Sequence, residues 1–138
     1  MLGELLGRAC RGGEVFELIS DLGGGKTSLV HGMARAFGVE DQVTSPTFSI
    51  NNTYMSDSLT LQHFDFFRLT KSGVVGEELK EYLGDKDSIV VIEWGEIVHD
   101  ILPIDRVTIH IWTTDVEKRL FEIKYPIQLE YLVEGLKA

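Results

Sequence analysis

One junction constrains this chain more than any other. Glu14 to Ser20 (EVFELIS) is a run of strand formers, and Asp21-Leu22-Gly23-Gly24-Gly25 holds too many glycines for a helix interior. From Lys26 onward, Leu29, Val30, Met33, Ala34 and Phe37 recur on one helical face, with Gly38 as the stop. The order is strand, glycine loop, helix. Phosphate loops read Gly, four residues, Gly-Lys-Ser/Thr, and Ser20 to Thr27 departs from that pattern only at its first position. Backbone N–H groups in such a loop form an anion cradle, and the helix N-terminus adds partial positive charge. Lys26 is expected against the β- and γ-phosphates, the Thr27 hydroxyl on magnesium and Ser28 at the α-phosphate. The bland alternative is a glycine-rich turn with no ligand. Ser20 weighs towards it if that position needs positive φ, where serine cannot match glycine.

A second element is Ile89-Val90-Val91-Ile92-Glu93, an unbroken apolar run that suits a strand buried on both faces and ends in a carboxylate. Glu93 would hold magnesium, directly or through water, or orient an attacking water; a strand simply reaching solvent is the alternative. Ligands of α/β sheets gather at the carboxyl ends of the strands, so the two motifs converge if their strands are parallel neighbours. Asp65 is a third candidate. In His63-Phe64-Asp65-Phe66 the strand period puts His63 and Asp65 on one face and the phenylalanines on the other. That pair either turns towards the nucleotide or forms the wet face of an edge strand. Thr44-Ser45-Pro46-Thr47 reads as a switch-like loop or an ordinary turn, and Trp94 as core, stacking surface or partner contact.

Around these motifs, Leu2, Leu5, Leu6 and Ala9 predict a short helix before Gly12-Gly13. Thr47 to Tyr54 and Leu59 to Phe66 predict a hairpin, Glu77 to Leu83 a helix, Arg106 to Thr113 and Arg119 to Tyr125 a second hairpin, and Ile127 to Leu136 a closing helix. The 138 residues suit a single domain over 1–138, with no repeat or linker. Its net charge of -9 repels phosphate polymers, which argues against coating DNA or other nucleic acid. Cys10 is the sole cysteine, so no intrachain disulfide or cysteine zinc cluster forms. His31, His63, His99 and His110 lack ligand spacing and read as surface or satisfied core residues. The N-terminus lacks the build of a signal peptide and no stretch is long enough to span a bilayer, so a cytoplasmic location is expected.

Taken in order, Asp21 to Ser28, Val43 to Phe48, His63 to Leu69, Glu77-Glu78-Leu79 and Ile92-Glu93-Trp94 resemble the TsaE (YjeE) ATPases. Those proteins serve the threonylcarbamoyladenosine modification of tRNA. The resemblance implies an α/β phosphate-loop NTPase fold, with a mixed sheet flanked by helices. It also implies ATP rather than GTP; the residues themselves only permit ATP, since no Asn/Thr-Lys-x-Asp element for guanine is present. Carried over by position, it puts nucleotide contacts on Asp21, Leu22, Gly23, Gly24, Gly25, Lys26, Thr27 and Ser28, and magnesium on Thr27 and Glu93. The catalytic set becomes Lys26, Asp65 and Glu93, with Trp94 the family's tryptophan and Arg119 near the adenine or phosphates. The implied partners are TsaD and TsaB, with tRNA met indirectly through them and no membrane or DNA contact. Departures are Ser20 for the first loop glycine and Gly24 where alanine is usual. A phosphate-loop small-molecule kinase and a nucleotide-gated binding module are the competing functions.

Overall fold

Six strands join one sheet in the computed structural model, which describes residues 2–20, 26–38, 51–56, 58–66, 73–116 and 118–136. They are β1 (Val15–Ile19), β2 (Asn51–Met55), β3 (Thr60–Asp65), β4 (Ser88–Glu93), β5 (Val107–Asp115) and β6 (Lys118–Lys124). Their spatial order is β2-β3-β4-β1-β5-β6. β3, β4, β1 and β5 run parallel, and each outer strand is the antiparallel arm of a hairpin, so the sheet is mixed as expected. Every residue of β4 is buried, which is why Ile89 to Ile92 are apolar without alternation. β1 and β4 are parallel neighbours with Leu18 opposite Glu93. The condition for the two motifs to converge is met.

Helices cover both faces. On one, Phe16, Leu18, Ile89, Val91 and Ile109 pack against Leu6 of α1 (Leu2–Ala9) and Leu29 and Met33 of α2 (Lys26–Ala36). On the other, Val90, Ile92, Phe64 and Phe66 meet Leu79 of α3 (Gly73–Tyr82) and Val98 and Leu102 near a 3-10 turn at Gly95–Ile101. Phe64 and Phe66 stack with ring centroids 5.9 Å apart. Both rings lie in this second core, as the strand period required.

The helix that begins at Lys26 is held by an unusually close neighbour. A Cβ added at Gly3 would lie 2.3 Å from the Leu29 carbonyl oxygen, one at Gly7 2.7 Å from Ala36 Cβ, and one at Gly32 3.0 Å from the Glu4 nitrogen. Glycines one turn apart on α1 thus let its backbone rest on α2, and Glu4 accepts from Arg35 at 3.1 Å across the same seam. Gly32→Leu would put a side chain where α1 backbone lies. We expect a loss of about 2–3 kcal/mol in unfolding free energy by urea titration, and undiminished stability would show that the helices do not need this approach.

Two expectations change. Ile127 to Leu136 is not an α-helix but two 3-10 turns, Ile127–Leu132 and Glu134–Leu136. A segment this short gains little from helix propagation, and tertiary anchors decide its shape: the Tyr131 hydroxyl donates to Glu14, and the Arg11 guanidinium lies 3.9 Å from the Tyr131 ring centre. Burial, then the hydrogen bond to Glu14, raises the Tyr131 hydroxyl well above the ordinary tyrosine range. The second change is at α3, which starts at Gly73 rather than at Glu77. Residues 21–25, 39–50 and 67–72 lie outside the described residues, and with them the glycine loop, the Thr44 to Thr47 segment and the expected start of the first hairpin strand.

Candidate functional site

The site is built where three parallel strands end together. β1 delivers Ser20, β4 delivers Glu93, and β3 brings Asp65 into register with Glu93, where Phe66 N–H donates to the Glu93 carbonyl at 3.0 Å. α2 then starts above these ends with Lys26. Lys26 Nζ is 3.8 Å from Glu93 Oε1 and 3.5 Å from the Ser20 carbonyl oxygen, and it lies 4.3 Å from the centre of the Trp94 ring. The Lys26 and Glu93 side chains are 7% and 3% exposed. Neither charge is solvated by bulk water, so each depends on the other and on the polar groups beside it.

Glu93 has a second partner. Its Oε2 meets Nε2 of His63, a residue of β3 with no exposure to solvent. The carboxylate is therefore shared: Oε2 on an imidazole and Oε1 facing an ammonium. Just past β4 the chain turns sharply, and Trp94 sits at φ 57 and ψ 50, the only positive φ of a non-glycine among the described residues. Left-handed backbone is unfavourable for a bulky side chain and tends to occur where surrounding structure enforces it at functional sites. Here it aims the indole at Lys26. Gly95 follows in a tight place, since a Cβ there would be 3.2 Å from Glu17 Oε2, and Glu17 in turn accepts from Arg106 at 2.9 Å.

A cleft of about 230 Å³ opens beside Lys26, lined by Ser20, Trp94, Glu96, His110 and Trp112 among others. His110 and Trp112 stack with centroids 4.1 Å apart and planes 7° from parallel. The cleft thus couples one buried cation with flat aromatic surfaces, a combination suited to an anionic ligand carrying a ring.

Of the residues singled out from the sequence, Lys26, Glu93 and Trp94 come together, and Asp65 stands beside Glu93 in the sheet, half-buried. Ser28 is exposed on the first turn of α2. Arg119 is on the exposed edge strand β6 opposite Thr113, with its guanidinium on the Lys118 carbonyl at 3.2 Å, and is not part of the cleft lining. Asp21 to Gly25 and the side chain of Thr27 are outside the described residues. The partnership of His63 with Glu93 was not foreseen. Its only trace in the sequence was the alternation that set His63 and Asp65 on one strand face.

Comparison with known proteins agrees with this architecture. The family model described as "Threonylcarbamoyl adenosine biosynthesis protein TsaE" matches residues 1–121. The tRNA threonylcarbamoyladenosine biosynthesis protein TsaE of Streptomyces coelicolor is 38% identical over 112 residues, covering 80% of this chain and 76% of that protein. Its counterpart in Rickettsia felis is 30% identical over 142 residues, covering 99% and 80% respectively. Among solved structures, the crystal structure of YdiB from Bacillus subtilis is similar with a TM-score of 0.79 at 28% identity, over 98% of this chain and 84% of that one. The match takes in β1, α2, the hairpin of β2 and β3, and β4 with Glu93 at its end, and on this ground the chain belongs to the TsaE family of tRNA threonylcarbamoyladenosine biosynthesis proteins.

Proposed function

We propose that this protein is a magnesium-dependent ATPase that acts on the TsaD–TsaB complex and resets it between rounds of tRNA modification in the cytoplasm. The observation that carries the reading is the buried Lys26–Glu93 pair at the carboxyl ends of β1 and β4, under the Trp94 ring. An ammonium suits phosphate oxygens, and a carboxylate oxygen suits a hard divalent ion. The donor set therefore fits ATP with magnesium. No group of three or more metal-ligating side chains occurs among the described residues. Magnesium at nucleotide sites takes one or two protein ligands alongside phosphates and water.

Lys26 has Glu93 as its counter-charge at 3.8 Å. A phosphate beside Lys26 would give it a new counter-charge, and Glu93 would keep its contact with His63 while Oε1 became available. Glu93 and the Thr27 hydroxyl would hold the metal, the loop from Asp21 to Gly25 and Ser28 would hold the phosphates, and Asp65 would position water beside Glu93. Held by these residues, magnesium would supply charge withdrawal from the phosphate oxygens. The net charge of -9 supports a division of labour in which the partner proteins hold the tRNA.

The test is to mix the pure chain with TsaD, TsaB and unmodified tRNA, then follow ATP hydrolysis and modification over many rounds. Hydrolysis should be slow alone and faster with both partners, and a non-hydrolysable ATP analogue should stop modification after the first round. Many rounds supported by the analogue would replace the ATPase with a nucleotide-gated binding module. Transfer of phosphate to a metabolite faster than to water would make the protein a kinase.

A further inference from the structure

The geometry points to His63 as the positioning residue for Glu93: its Nε2–H takes one carboxylate oxygen so that the other is presented to Lys26 and to a divalent cation arriving with nucleotide. This rests on the reading of Glu93 as a magnesium ligand. His63 lies opposite Val91 in the β3–β4 register and between Gln62 and Phe64 in the sequence, all of them buried. An apolar side chain would be the ordinary occupant of such a place. A buried imidazole is costly unless hydrogen-bonded, and its described polar contact is with Glu93 Oε2. Among the described residues its Nδ1 has no hydrogen-bond partner. A ring proton on Nε2 satisfies the contact and leaves Nδ1 as a bare acceptor rather than a stranded donor.

The division of the carboxylate has a consequence for Lys26. Charge-assisted N–H···O bonds are about 2.7–2.9 Å long, whereas Lys26 Nζ stands 3.8 Å from Glu93 Oε1. Glu93 thus gives its close hydrogen bond to His63 and only a loose ionic contact to Lys26. The lysine remains available to phosphate, and Oε1 is held in place instead of turning freely. Carboxylates that bind metals are commonly fixed by such outer partners, whose loss weakens metal affinity by about 10–100-fold.

The experiment compares His63→Gln, His63→Asn and His63→Leu. The Gln amide reaches towards the position of Nε2, the Asn amide only that of Nδ1, and Leu offers no donor while filling the core. The readout is the magnesium concentration that half-saturates the metal-dependent gain in ATP binding, measured by calorimetry, with thermal unfolding followed for each variant. His63→Asn and His63→Leu should raise that concentration about tenfold or more, and His63→Gln should stay within about threefold of wild type. In a Glu93→Gln background the His63 substitutions should add nothing, because the group being positioned is gone. If one loss variant fails to fold, the other completes the comparison. Equal midpoints for His63→Gln and His63→Asn, or an undiminished effect in the Glu93→Gln background, would overturn the assignment. Magnesium-independent ATP binding by the wild type would instead overturn the reading of Glu93, and this inference with it.

Discussion

Lys26→Ala should bring ATP hydrolysis down to background, a loss of about 10²–10³-fold or more, the scale seen when one preorganised charge or donor is removed from a transition state. The change deletes the lysine ammonium of the cleft from a place where water does little to compensate. ATP binding should weaken with it, so that ATP no longer raises the unfolding temperature of the variant. The fold should survive. Breaking a buried ion pair costs about 3–5 kcal/mol when the remaining charge is left without a partner, but Glu93 retains His63. A stability loss of about 3 kcal/mol or less in urea is therefore expected. Hydrolysis at the wild-type rate by pure Lys26→Ala protein would remove Lys26, and with it the proposed site, from the mechanism.

The parts of the site that could be read from the sequence are those whose chemistry is local. Lys26 follows a glycine run by one residue, and Glu93 ends an apolar run by one residue, so strand, loop and helix periods suffice to find both. The sheet needed one further condition, that β1 and β4 be parallel neighbours, and chain order alone does not set strand order. His63 was harder. Its partner is thirty residues away, and the contact exists only because β3 and β4 run in parallel register, with Asp65 level with Glu93. A histidine beside an aspartate on a strand looks the same whether it faces solvent or a buried acid.

Trp94 and the α1–α2 seam were hidden for related reasons. A left-handed backbone at tryptophan runs against local preference, and is imposed by what surrounds Trp94 and Gly95. Glycine is a poor helix former, yet Gly3 and Gly7 are what lets α1 approach Gly32 and brace the helix led by Lys26. The closing segment failed differently. Its apolar residues fit a helical period, but the links from Tyr131 to Glu14 and Arg11 determine its path, and those residues lie at the far end of the chain.

Glu93→Gln separates binding from turnover. The amide keeps the size of the carboxylate, and its carbonyl oxygen can still accept from His63 Nε2–H, so the β4 end should hold its shape. What disappears is the negative charge 3.8 Å from Lys26. Among the described residues the ammonium of the variant then faces the Ser20 carbonyl, the Trp94 ring and an amide, and the variant should be less stable than wild type by up to about 3–5 kcal/mol. ATP supplies the missing counter-charge, so the rise in unfolding temperature on adding ATP without magnesium should exceed that of wild type. Magnesium should add little to it if Glu93 is the carboxylate that holds the ion, as proposed. Hydrolysis should fall about 10²-fold or more, as metal placement and transition-state charge balance are both lost. The opposite pattern, wild-type turnover with a normal magnesium requirement, would show that Glu93 serves only as the counter-ion of Lys26. The two variants therefore diverge on one measurement: ATP without metal should stabilise Glu93→Gln strongly and Lys26→Ala not at all. That divergence follows from the electrostatics of a single buried pair, in which one member attracts phosphate and the other competes with it.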